Sequence, residues 1–235
     1  MNNAGIVIPT LNEEGSIGLL VERILRNHPE LKIIIVDDQS SDGTQFIVEE
    51  LSQKFSGSIH FLFREEKING LAGAYIEGYE ICRKLGLDWV FQMDADGQHD
   101  PADLSTLWDL RARERMVIGS RYCEGGIIEG WSLFRILLSR IGNVYFRILH
   151  KPGIRDCTGG YKLFDARVLR NLWMVPPKSR GFTFHAETTF RWAIYGAQAI
   201  EAPITFRARK AGDSKMSPKS AFESLRQILL WRILK

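Results

Sequence analysis

Cysteine is scarce in this 235-residue chain, and Cys82, Cys123 and Cys157 show no paired spacing. That excludes a disulfide framework and points to a reducing compartment. None of the five histidines forms a ligand pair with another, so zinc is disfavoured as well. The amino-terminal Met1-Asn2-Asn3-Ala4-Gly5 has no charged and then apolar leader, and no signal peptide is expected. The long apolar segment Trp131 to His150 is broken by Arg135, Arg140 and Arg147, too often for a membrane span. No repeat or low-complexity tract stands out. No Gly-rich phosphate loop follows the first strand pattern, where Pro9 to Glu13 stands instead, which argues against a nucleotidyltransferase.

With 45% apolar and 25% charged residues, the chain can bury one sizeable core and reads as a single domain, 1–235. Its net charge of +3 conceals an asymmetry. Residues 1–130 hold 12 Lys and Arg against 22 Asp and Glu, a balance of −10; residues 131–235 hold 19 against 6, a balance of +13. An acidic front suits a metal, and a basic back suits phosphates or an anionic membrane surface. Nucleic acid is not expected as a partner: no binding module is recognisable, and the front half would repel its backbone.

Short apolar runs alternate with helical patterns through residue 120. Strands are expected at Gly5 to Ile8, Lys32 to Val36, Ile59 to Phe63, Asp88 to Met93 and Met116 to Gly119. Helices are expected near Glu14 to Asn27, Gly43 to Phe55, Gly70 to Leu85 and Ala102 to Glu114. Strands separated by helices of this length imply right-handed crossovers and a mostly parallel twisted sheet, an α/β fold with ligands at the strand carboxyl ends. Those ends carry Pro9 to Glu13, Asp37 to Gly43, and Asp94-Ala95-Asp96. Each has a local alternative: Asn12 and Asp42 can cap helices, and Asp37 can form a turn. Asp94 and Asp96 close a buried strand, Gly97 lets the chain turn, Gln98 adds a neutral oxygen, and Pro101 opens the next helix with Asp100 as its cap. Hard oxygen ligands of this kind suit Mg²⁺ or Mn²⁺ beside a diphosphate.

After residue 120 the alternation ends. Arg121 to Gly130 reads as a Gly-rich loop. In the helical pattern 131–150, Ser132, Arg135, Ser139, Asn143, Arg147 and His150 form a polar stripe opposite Leu133, Phe134, Ile136, Leu137, Ile141, Val144 and Ile148. The segment 218–234 is a second amphipathic candidate. For both, the protein's own core and a membrane surface are open alternatives.

Taken together, Val7 to Glu14, Val36 to Thr44, Asp94 to His99 and Gly119 to Tyr122 resemble a family 2 glycosyltransferase of the GT-A fold. Asp156 to Lys162, and Pro203 to Ser217 with its Ser214-Lys215-Met216-Ser217 element, narrow the resemblance to the polyprenol-phosphate (dolichol-phosphate) mannose synthase branch, over essentially the entire chain. The resemblance implies a nucleotide-sugar half at 1–120 and an acceptor half at 121–235. It places Pro9, Glu13 and Asp38 around the nucleoside, together with Leu11 and Val36, and brings Asp94, Ala95 and Asp96 to the donor diphosphate. Asp94, Asp96 and Gln98 would bind Mg²⁺ or Mn²⁺, and Arg121, Arg209 and Lys215 would meet phosphate or sugar. Ser139, Thr158 and Glu187 are the acceptor-side candidates, Glu187 having a helix-surface charge as its alternative role. Two departures stand out: Leu11 where close relatives often have Tyr, and Gly159 in place of a frequent Ser.

The implied activity is inverting, metal-dependent transfer of mannose from GDP-mannose to a polyprenyl phosphate. Asp96, Arg121, Arg209 and Lys215 would be the catalytic residues. A lipid phosphate, ionised at neutral pH, needs no general base. UDP-glucose or another UDP-sugar is the alternative donor, and a non-catalytic nucleotide-sugar-binding protein the alternative class. Peripheral attachment at the cytoplasmic face of a membrane is expected, with a membrane-protein partner left open.

Overall fold

Two runs of Ile and Val, β1 (Ala4–Thr10) and β2 (Lys32–Asp37), start the central sheet and set its two faces. Side chains alternate along a strand. Ile6, Ile8, Ile33 and Ile35 therefore enter one core with α1 (Ile17–Asn27) and α2 (Thr44–Lys54), while Val7, Ile34 and Val36 enter a second core beneath α3 (Gly70–Lys84). Helix α1 repeats apolar residues at 17, 20, 21, 24 and 25, and all five are buried. Gly78 brings α3 close to the sheet: a Cβ there would stand 2.3 Å from Val7 Cγ1.

The computed structural model describes residues 1–179, 181–208 and 218–233. Its main sheet adds β3 (Ile59–Phe63), β4 (Trp89–Gln92), β5 (Arg115–Ser120), β7 (Lys162–Asp165) and β8 (Gln198–Pro203), in the order β3-β2-β1-β4-β7-β5-β8. β1 pairs in parallel with both β2 and β4, the geometry of helical crossovers. The chain winds outward from β1 to β3 and then returns to β1's other side at β4, so a topological switch point lies between β1 and β4. β7 runs antiparallel to β4 and β5, and β8 is parallel to β5. A small parallel pair, β6 (Ile127–Glu129) with β9 (Thr205–Arg207), covers the carboxyl-terminal edge, where Arg207 N donates to Gln98 O at 3.0 Å.

The first five expected strands are present to within two residues at either end. Helix α4 (Asp103–Asp109) is shorter than the expected 102–114, because Arg111 turns back to cap Trp108 O through Nη1 at 2.8 Å. The loop expected at 121–130 contains β6. The second half also supplies α5 (Leu133–His150), α6 (Ala166–Leu172), α7 (Thr183–Tyr195) and α8 (Pro218–Ile233).

Candidate active site

The loops after β1 and β2 are tied into one wall. Asp37 accepts from Thr10 Oγ1 at 2.8 Å, Ser40 N at 2.8 Å and Ser40 Oγ at 2.6 Å, so it acts as a turn former. Asn12, at φ 56°, accepts from Ser41 N at 2.8 Å, and Glu14 accepts from Gly43 N at 2.7 Å. Asp42 bonds Glu14 N at 3.2 Å and Thr44 N at 3.0 Å. Asn12 thus ties one loop to the other instead of capping α1, and Asp42 combines a cross-loop tie with a bond at the start of α2.

This wall, the loop after β4 and the start of α3 enclose a cavity of about 230 Å³ at the switch point. Pro9, Leu11, Glu13, Asp38, Asp94, Ala95 and Asp96 all line it, as do Gly70, Leu71 and Phe182. Seven expected nucleotide-sugar positions therefore meet. Val36 does not join them with its side chain, which lies in the core beneath α3. Asp38 is held by the buried Arg64, whose Nη1 donates at 2.5 Å while Nε donates to Glu77 at 2.9 Å and Nη2 to Ile68 O at 2.6 Å.

Asp94 and Asp96 also line a second cavity of about 250 Å³, making them the shared wall of the two. Asp94 Oδ1 accepts from Tyr75 Oη at 2.7 Å and faces His185 Nε2 at 3.5 Å. Burial opposes its charge, yet the facing His185 and His99 rings, the Tyr75 hydroxyl and Lys162 hold its carboxyl below the usual range. Asp96 Oδ1 accepts from Gln98 N at 3.0 Å across Gly97, which has φ 72°. Gln98 commits its amide nitrogen to Arg207 O at 2.9 Å, so its carbonyl oxygen is what it can offer a cation. Two carboxylates and an amide oxygen are a hard donor set and fit Mg²⁺ or Mn²⁺. Among the described residues no cluster of three or more His, Cys, Asp or Glu forms a closed metal cage. A site completed by substrate oxygens is consistent with that.

The second cavity has a charged end and an apolar trough. Arg121 lies at the charged end, bidentate to the fully buried Asp156 at 2.7 Å through Nε and 2.7 Å through Nη2, with Thr158 Oγ1 at 3.1 Å. Ser139 and Thr158 line the cavity too; Ser139 accepts from Tyr122 Oη at 2.7 Å, and Asn143 donates to Thr158 at 3.1 Å. Arg135, stacked 3.9 Å from the Trp131 ring, joins the lining. The trough consists of Leu138 and Ile141 from α5, Leu225 and Ile228 from α8, and Phe182 and Phe206.

Helix α5 is inverted relative to an ordinary surface helix. The centre of its polar stripe faces the protein, with Asn143 and His150 buried and Arg135 and Ser139 half-buried, Ser132 and Arg147 stay exposed, and Leu133, Phe134, Leu137, Val144 and Ile148 project outward at 42–86% exposure. Among the described residues no helix is long and apolar enough to cross a membrane.

Glu187 is brought to neither cavity. It is 1% exposed, accepts from Ser179 N at 2.8 Å and Lys178 N at 3.0 Å, and pairs with Arg191 at 2.7 Å. Both sequence-based roles, acceptor contact and surface charge, give way to a strut for the 178–179 turn. Arg209 and Lys215 lie outside the described residues. His185, Tyr75 and Arg135 were missed as site residues. Signals existed: a histidine in an aromatic run, a tyrosine in an Ala/Gly-rich helix, and an arginine on the polar stripe.

The model of glycosyl transferase family 2 matches residues 5–173. A polyprenol monophosphomannose synthase of Mycolicibacterium smegmatis is 36% identical over 229 residues, covering 97% of this chain and 86% of the relative. An undecaprenyl-phosphate mannosyltransferase of Micrococcus luteus is 36% identical over 225 residues, covering 96% and 92%. Among solved structures, the mannosyltransferase PcManGT of Pyrobaculum calidifontis, in complex with GDP-Man and Mn²⁺, aligns with TM-score 0.60 at 16% identity, covering 99% of this chain and 75% of that one.

Proposed function

Because this chain belongs to glycosyl transferase family 2 and has the GT-A fold, we propose that it transfers mannose from GDP-mannose to a polyprenyl phosphate. It is a glycosyltransferase. The finer reading rests on one observation: the Asp94–Asp96 edge that closes the donor-side cavity also opens into a trough between α5 and α8 whose outer surface is apolar. A charged head beside Arg121 and Arg135 and a chain lying along Leu138, Ile141, Leu225 and Ile228 describe an amphiphilic anion. The two mannosyl-transferring relatives, one named for a polyprenol and one for undecaprenyl phosphate, support it.

In this reading the nucleoside lies against Pro9, Leu11, Glu13 and Asp38, with Val36 behind them in the core, and the diphosphate reaches Asp94, Ala95 and Asp96. Asp94, Asp96 and the Gln98 carbonyl would hold Mg²⁺ or Mn²⁺, which when bound supplies Lewis-acid stabilisation of the leaving diphosphate. Arg121, pinned by Asp156, and Arg135 orient the acceptor phosphate, with Ser139 and Thr158 beside them. A phosphate oxygen attacks the anomeric carbon as the bond to the nucleoside diphosphate breaks, inverting an α-linked donor to a β-linked lipid phosphosugar. Arg209 and Lys215 are assigned to phosphate by resemblance. The outward apolar face of α5, with Leu225 and Leu229 of α8, would rest in the cytoplasmic face of a membrane, where the acceptor resides.

Incubation with labelled GDP-mannose, Mn²⁺ and a short polyprenyl phosphate is expected to move label into the organic phase, and Asp96→Ala is expected to abolish this. Full activity in Asp96→Ala would overturn the metal assignment.

A further inference from the structure

Beneath the carboxylate pair runs a buried polar chain with no part in the roles above. Gln92 is fully buried in β4, an otherwise apolar strand. Its partners fix its orientation. Nε2 lies 2.8 Å from the carbonyl of Gly160, which can only accept, and Oε1 accepts the Tyr79 hydroxyl at 2.5 Å. The same Nε2 stands 2.9 Å from His185 Nδ1. An amide nitrogen has only hydrogens to give, so Nδ1 accepts and the ring proton resides on Nε2. That N–H faces Asp94 Oδ1 on the cavity wall, with 3.5 Å between nitrogen and oxygen, an electrostatic contact longer than a good hydrogen bond.

Three further contacts define the arrangement. Lys162 Nζ donates to the His185 carbonyl at 2.8 Å, pinning the first turn of α7. Both groups that approach Asp94 from Tyr75 and His185 do so at Oδ1. At Gly160 a Cβ would stand 2.6 Å from Asp94 Oδ2 and 3.1 Å from His185 Nε2, so only glycine leaves the space beside Oδ2 open.

We propose that Tyr79, Gln92 and His185 form a positioning chain that, with Tyr75, sets the plane of the Asp94 carboxylate and presents Oδ2 to a divalent cation. This rests on Asp94 being a cation ligand in the proposed function. Groups that orient a ligand from behind govern cation affinity more than overall fold, and losing one typically costs about 10- to 100-fold.

Mn²⁺ titration in the presence of GDP, read by the electron paramagnetic resonance signal of the free ion, tests the chain directly. His185→Ala is expected to weaken Mn²⁺ binding by about 10- to 100-fold, and Tyr75→Phe, which removes one hydroxyl, in the same direction. His185→Gln, whose amide can place an N–H near the former Nε2, is expected to recover most of the affinity. Val48→Ala, a change in the opposite core beneath α2, is expected to lower the melting temperature without moving Mn²⁺ affinity. Unchanged Mn²⁺ affinity in folded His185→Ala would overturn the proposal; if His185→Ala does not fold, unchanged affinity in Tyr79→Phe, which removes the hydroxyl that orients Gln92, would overturn it. No Mn²⁺ binding by the wild-type chain would overturn the cation reading itself.

Discussion

Replacing Phe134, Leu137 and Ile148 together by Gln isolates the outward face of α5. None of the three lines either cavity, and they are 76%, 57% and 68% exposed. Full burial of such side chains is worth about 1.5–3 kcal/mol each, and exposure-weighting leaves about 4 kcal/mol for the set. An interfacial helix sinks only part-way into the headgroup boundary, so about half of that, ~2 kcal/mol, is gained on a membrane. The triple variant should therefore bind anionic liposomes about 30-fold more weakly, since 1.4 kcal/mol is tenfold. Flotation with liposomes at low salt measures the partition coefficient. Because the side chains already meet water and Gln is a good helix former, stability should hold within about 0.5 kcal/mol. Turnover of a short, detergent-dispersed polyprenyl phosphate should hold as well. A folded triple variant that floats like the wild type would refute the assignment of this face to a membrane.

Arg121→Met leaves Asp156 charged and buried without its bidentate partner, so urea denaturation should show a loss of about 3–5 kcal/mol along with lost activity. Asp156→Met added to it should recover part of that stability. Glu187→Ala should destabilise by about 3 kcal/mol through two orphaned backbone donors and an uncompensated Arg191, while the KM for the acceptor in the folded enzyme stays unchanged. A raised acceptor KM alone would return Glu187 to the acceptor site. Burial pushes the Asp103 carboxyl up from 3.8 to about 6, so the stability it contributes is fully present below its unfolded value and is lost as pH rises through about 6. Relative to Asp103→Asn, the wild type should lose about 1 kcal/mol between pH 4 and 7, a figure reduced for partial exposure; a pH-independent difference in urea midpoints would contradict it.

Residues 1–120 were legible because the local signals agreed with the tertiary outcome. Runs of Ile and Val in β1 and β2, with acids after their carboxyl ends, describe parallel strands and a switch-point site, although the role of each single acid, such as the turn-forming Asp37, is settled only by its bonds. Residues 121–235 were legible only in their two long helices, for three physical reasons. β7 is a four-residue strand that begins with the buried Lys162, so no apolar run announces it. α7 buries His185, Glu187, Thr188 and Thr189, polar residues whose partners, among them Gln92 for His185 and Cys157 O for Thr189, no helical period announces, which hides its inward face. The stripe on α5 was visible, but a period of 3.6 does not say which face meets water. Here the polar face turns inward because Asn143 bonds Cys157 N at 2.6 Å and Thr158 at 3.1 Å. Glu187 illustrates the converse: the resemblance implied an acceptor contact, while its bonds to Lys178 N, Ser179 N and Arg191 turn it away from the cavity.

The most direct test of the central claim is a donor-by-acceptor activity panel, crossing GDP-mannose and UDP-glucose with polyprenyl phosphate and a water-soluble phosphate ester in the presence of Mn²⁺. GDP-mannose with polyprenyl phosphate should give the highest kcat/KM, with label recovered in the lipid extract. A preference for UDP-glucose, or for the soluble ester, would contradict the account.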